Sequence, residues 1–131
     1  MKELEQLCEC AQKSVLELFS KDPHDIGDTA SLPADGGVCL IYEEEEVIYV
    51  GKAGNLRRRI KEHLSGEKAD TVSAFRRSLH QRNGTPFGLE MREWVLTRCR
   101  LAYLSVSDAD MRALVETLAI AWRRTAALLN K

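Results

Sequence analysis

Two short apolar runs, GVCLIY at 37–42 and VIYVG at 47–51, flank a stretch dominated by glutamate. Both are rich in Val, Ile and Tyr, and together they predict an antiparallel β-hairpin. The Asn-Gly or Asp-Gly pair usual at such tips is missing, and Glu43–Glu46 reads as a solvated tip kept soluble by mutual repulsion. Everything else is arranged around that hairpin. Leu4, Leu7, Cys8, Ala11, Val15, Leu18 and Phe19 recur at helical spacing over 2–19, which predicts an amphipathic helix with one apolar face. Residues 20–36, rich in Pro, Gly, Asp and Ser, read as a long loop.

Downstream, Asn55 is a good N-cap for a helix over 56–64, and Asp70 or Thr71 for another ending near Asn83-Gly84. GLEMREWVLTR after Pro86 predicts a short helix, RCRLAYLSV at 98–106 a third strand, and Ser107 or Asp108 the cap of a last helix reaching about Arg124. On that helix the apolar stripe is Met111, Leu114, Val115, Leu118 and Trp122. The order describes an α+β domain, a small sheet with helices around it.

At 131 residues, the length suits one domain, and 44% apolar with 30% charged residues is a globular composition. No uncharged stretch approaches a membrane span, and the start lacks the pattern of a secretory leader, so no membrane partner is expected. Cys8, Cys10, Cys39 and Cys99 have no zinc spacing; reduced thiols and a cytoplasmic location are the expectation, with Cys8 buried on its helix. A formal net charge of −1 conceals a strong asymmetry. Residues 1–46 carry −9 and residues 47–131 carry +8, with +6 concentrated in 51–82. A basic surface for a polyanion beside an acidic arm is one reading, and two halves that cancel by pairing is the other.

Three places break local expectation. In YVGKAGNLRRRIKEH (49–63) a strand ends at a glycine and a helix opens with three arginines. Leu56, Ile60 and Leu64 form its core stripe, with Arg59 and His63 one turn apart along one edge and Arg57 and Lys61 along the other. Arg58 and Glu62 point to water. An Arg and a His at the rim of the core, beneath Tyr49, could hold a phosphate, the His moving a proton near neutral pH. Glu116 is the single charged residue in ALVETLAIAW (113–122), and a carboxylate there needs a partner, for which a hard divalent cation is one choice. Arg76, Arg77 and Arg82 add basic character to 71–82, with phosphate contact as the functional reading.

The stretch GVC…YVGKAGNLRRRIKEH, from Gly37 to Leu64, resembles the signature of the GIY-YIG nuclease superfamily, which includes the UvrC N-terminal nuclease domain of DNA repair, homing endonucleases and some restriction enzymes. The downstream Glu116 and Asn130 agree with it, so the resemblance covers residues 36–131 and leaves an acidic N-terminal helix and loop, 1–35, outside. It implies a three-stranded antiparallel sheet flanked by helices, and a metal-dependent endonuclease hydrolysing DNA phosphodiester bonds with one magnesium or manganese ion. By the same resemblance Glu116 would bind the metal and Arg59 would stabilise charge developing on the phosphate, with His63 assisting. Tyr49 would lie over the cleft with Lys52 close to the phosphate, and Asn130 would support the site.

Two departures stand out. The tyrosine that ends the family's first motif is Cys39 here, and a thiol is a whole ring shorter and a weak hydrogen-bond partner. Tyr42, three residues along the strand, falls on the opposite face. The proline usual before the late asparagine is also absent. An endonuclease acting on duplex or branched DNA is the leading reading. A catalytically impaired DNA-binding module on the same fold is the second, and a protein-interaction domain using the acidic arm is the third.

Overall fold

The computed structural model describes residues 2–67, 73–125 and 127–130. The hairpin forms as expected. β2 (Gly37–Glu43) pairs antiparallel with β3 (Glu46–Ala53), and β2 pairs on its other side with β4 (Cys99–Ser105). A fourth strand, absent from the sequence reading, is β1 (His24–Asp25), which adds two residue pairs to β4 and gives the order β1-β4-β2-β3. It arises inside the expected loop, where two residues offer no periodicity to detect. The hairpin tip turns through Glu44 at φ 55°, an unusual conformation for a residue with a side chain. A bulge between Ile41 and Tyr42 shifts the register on β3.

Among the described residues five α-helices complete the α+β fold: α1 (Lys2–Ser20), α2 (Leu56–His63), α3 (Ala74–Asn83), α4 (Leu89–Arg98) and α5 (Ala109–Trp122). Their ends follow capping chemistry. The side chains of Asn55 and Asp108 accept the backbone N–H groups of Arg58 and Met111, as predicted. Gly84, at φ 72°, closes α3. That helix is capped by Ser73; Asp70 and Thr71, the expected caps, lie outside the described residues.

Strand alternation sends side chains to two cores. Cys39, Ile41 and Leu101 face α2, α3 and α4, burying Leu56, Ile60, Phe75, Leu79 and Val95. Val38, Leu40, Val50 and Ala102 face α1 and α5, burying Val15, Leu18, Val115 and Ala119. Tyr42 packs on this second side, opposite Cys39, as strand geometry requires.

Two expected helix faces need correction. On α1 only Ala11, Val15 and Leu18 are buried; Leu4, Leu7 and Cys8 are exposed because the first turns of the helix carry nothing over them. On α5 the buried pair is Val115 and Ala119, while Leu118 and Trp122 are exposed. The apolar surface of α5 is thus wider than the sheet can cover.

The outer edge of β3 is closed from the chain's far end. Leu129 N–H donates to Ile48 O at 2.6 Å. Asn130 then clamps Val50 from both sides: its Oδ1 accepts Val50 N–H and its Nδ2 donates to Val50 O, each at 2.8 Å. A side-chain amide here does the work of a paired strand residue on an otherwise open edge.

Candidate active site

The YVG segment brings three groups together because its glycine occupies so little space. Cys39 and Gly51 are direct partners across β2 and β3. A Cβ on Gly51 would lie 3.1 Å from Tyr49 Cε2 and 3.5 Å from Cys39 Sγ, so the phenol ring and the thiol both press against the bare backbone. The Tyr49 ring is braced by His63 edge-on at 5.9 Å and by Phe75 at 5.2 Å between centroids. Burial raises the Tyr49 pKa, and the Cys39 and Glu116 side chains raise it further, so Tyr49 stands in the site as a neutral phenol.

Glu116 reaches this cleft from α5, across the end of the β3 edge. Its side chain is 23% exposed, and Lys52 Nζ stands 3.9 Å from Oε1, beyond hydrogen-bond distance. Burial raises its pKa, opposed by the Lys52 ammonium, by the Lys52 backbone N–H and by the Arg59 charge. Arg59 projects from α2 with 45% of its side chain exposed, and its charge is felt at Cys39, Tyr49, His63 and Glu116. The four expected residues Tyr49, Lys52, Arg59 and Glu116 therefore converge.

His63 needs a different account from the one its residue type suggests. It is 1% exposed, with Nδ1 2.8 Å from Ser73 Oγ, and burial, aided by the charges of Arg59 and Arg76, pushes its pKa down to about 3. It is a neutral brace for Tyr49 and does not carry a proton near neutral pH. Arg59, one turn away, turns outward and pairs with Glu62 at 3.6 Å, so Glu62 is also not simply solvated. Cys39 is buried, and its pKa is pushed up to about 12, chiefly by that burial; it remains a thiol.

The basic residues divide. Arg77 is exposed and close enough to act on Tyr49, and Lys61 is exposed on α2. Arg57 is half-buried and spends its Nε on Leu32 O at 2.9 Å. Arg76 is fully buried, donating to Glu67 O at 2.5 Å, and cannot touch a phosphate from there. Arg82 pairs with Glu43 at 3.1 Å near the hairpin tip, four residues or roughly 13 Å along β2 from Cys39. Asn130 lies behind the cleft, clamping Val50 between Tyr49 and Gly51.

Three contributors were not read from the sequence. Ser73 holds His63, Phe75 braces Tyr49, and Tyr103 on β4 pairs directly with Cys39 on the same sheet face. Tyr103 alone had a signal, the alternation of its strand. Among the described residues no three His, Cys, Asp or Glu side chains form a ready-made metal cluster. A partly desolvated carboxylate open to the cleft, held only loosely by Lys52 at 3.9 Å, nevertheless suits a hard divalent ion that takes its remaining ligands from water and phosphate oxygens.

An α+β domain with a strand-borne tyrosine, a helix-borne arginine and a carboxylate at one cleft has the makings of a phosphate-handling site. The family model described as the GIY-YIG catalytic domain matches residues 28–130, and the chain belongs to the GIY-YIG family. Among solved structures, the magnesium-bound GIY-YIG N-terminal endonuclease domain of UvrC from Thermotoga maritima is similar at 17% identity and TM-score 0.49, covering 76% of this chain and 89% of that one. A cation-bound point mutant of the same domain is similar at 17% identity and TM-score 0.49, covering 78% and 91%. No curated protein sequence matches the chain at a significant level.

Proposed function

We propose that this protein is an endonuclease that hydrolyses DNA phosphodiester bonds with the help of one divalent cation, magnesium or manganese. The observation that carries the reading is the convergence of Tyr49, Arg59, Lys52 and the desolvated Glu116 carboxylate at the end of β3. Glu116 would hold the cation, which when bound supplies Lewis-acid polarisation of a phosphate oxygen and an acidified water.

The chain's own groups do the rest. Arg59 offers a charged fork to the non-bridging oxygens, where negative charge grows in the transition state. Tyr49, held as a neutral phenol, donates a hydrogen bond and orients a water or a phosphate oxygen. Lys52 keeps positive potential beside Glu116 and draws the phosphate in. His63 and Phe75 fix the plane of Tyr49, and Asn130 fixes the backbone beneath it. Arg77 and Lys61 extend the basic rim along the DNA backbone.

Cys39 favours a second reading, a DNA-binding module with little or no cleavage, because a buried thiol held near pKa 12 neither accepts a proton nor reaches as far as a phenol. Incubation of supercoiled and branched DNA with Mg²⁺ or Mn²⁺ separates the two. The endonuclease reading expects metal-dependent nicking by the wild type, lost in Glu116→Ala and Arg59→Ala. Cleavage by Cys39→Tyr alone supports the binding module. No cleavage by any variant, with DNA retained, contradicts the nuclease reading outright.

A further inference from the structure

The molecule leaves a long apolar groove open on the side of the sheet away from the Tyr49 ring. It runs between α1 and α5, encloses about 700 Å³, and is floored by Ala11 and Val15 between walls that include Leu16, Leu118 and Trp122. Its walls and the α1 surface beyond them are substantially exposed: Leu16 52%, Leu118 37% and Trp122 50% along the groove, and Leu4 53% and Leu7 45% further towards the start of α1. All described residues of α1 before Ala11 are exposed, so two and a half helical turns stand without tertiary cover. Helices gain most of their stability from packing an apolar face, and an uncovered amphipathic half-helix calls for a partner surface.

We infer that this groove is the interface of a two-fold homodimer, in which α1 and α5 of two copies assemble into a four-helix layer. Area supports a second copy. At roughly 200 Å² for a fully exposed large apolar residue, these five contribute about 500 Å² per copy, more than half of the ~800 Å² each partner gives a standard interface. Charge supports it too. Phe19 meets Trp122 edge-on at 5.0 Å between ring centroids, so the C-terminal ends of α1 and α5 lie together, next to Arg123 and Arg124. A two-fold axis across the groove runs the partner's α1 antiparallel, bringing the α1 edge that carries Glu9 towards those arginines. The contact then occurs twice, as isologous pairing requires. The proposal does not depend on nuclease activity, and in such a dimer both clefts remain outside the helical layer.

Sedimentation equilibrium on the full chain over 1–200 µM tests it. The expected mass is twice the chain's 14.8 kDa, falling to the single-chain value in Leu118→Glu and in Leu16→Glu while far-UV circular dichroism stays unchanged. Arg124→Glu is expected to weaken association at least tenfold, and Arg124→Glu with Glu9→Lys to restore it. A wild type that stays a monomer at 200 µM overturns the proposal, as does a dimer indifferent to both leucine substitutions.

Discussion

Acidification isolates what His63 does. Its imidazole is buried with pKa about 3 in the fold, against an ordinary 6.5 in the unfolded chain. Because the folded value is depressed, the unfolded chain binds the extra proton, and stability rises with pH across this window. The His63 contribution is therefore complete above pH 6.5 and is lost as pH falls from 6.5 towards 3. Each unit in that window corresponds to about 1.4 kcal/mol, so moving from pH 7 to 4.5 costs about 2.5 kcal/mol through this side chain. With a urea dependence of roughly 2 kcal/mol per molar for a domain of this size, the midpoint drops by about 1.2 M.

The comparison variant is His63→Gln, which keeps a polar group near Ser73 and removes the titration. Burial raises the Glu116 pKa, which pulls in the opposite direction: its protonated form is favoured in the fold. Both proteins share that contribution, so the difference in pH slope belongs to His63. Urea midpoints for the two proteins at pH 7 and 4.5 should converge on acidification by about 1.2 M. Parallel midpoints, or an NMR titration of the His63 ring centred near 6.5, would refute the buried neutral brace.

Further predictions concern the frame around the site. Asn130→Ala removes two 2.8 Å hydrogen bonds and leaves both polar groups of Val50 on an open edge, which should cost about 2 kcal/mol in urea denaturation and raise hydrogen exchange at the Val50 amide. Gly51→Ala sets a methyl 3.1 Å from the Tyr49 ring, whose far side is held by His63 and Phe75. We expect a loss of about 1–2 kcal/mol by thermal denaturation, with a larger proportional loss in cleavage rate. Arg77→Ala should weaken DNA binding and flatten its salt dependence by about one counterion, whereas the buried Arg76→Met should leave both unchanged in fluorescence anisotropy.

The hairpin, the caps at Asn55 and Asp108 and the convergence of Tyr49, Arg59 and Glu116 are legible in the sequence because each rests on local spacing or on a motif. What escaped depends on distant segments. His63 read as a proton carrier at the rim of the core and Arg76 as a phosphate contact, and both become buried because α2 and α3 pack against each other and the sheet. Asn130 meets Val50 from 80 residues away, through backbone geometry that no periodicity encodes. On α5, Leu114, Leu118 and Trp122 satisfy the same helical period as Val115, so the period alone could not tell the sheet-facing side from the groove. Charge was informative only after division along the chain, since the basic stretch supplies Lys52, Arg59 and Arg77 to the cleft.

In the proposed reaction the Glu116 carboxylate serves a divalent cation in phosphodiester hydrolysis while contributing little to DNA affinity. Single-turnover cleavage of a labelled duplex at saturating protein and Mg²⁺ tests it most directly, comparing wild type with Glu116→Gln. Metal-dependent cleavage should fall at least a hundredfold in Glu116→Gln, with DNA affinity unchanged within about threefold. Equal cleavage rates for the two proteins, or cleavage by the wild type that persists in excess chelator, would contradict it.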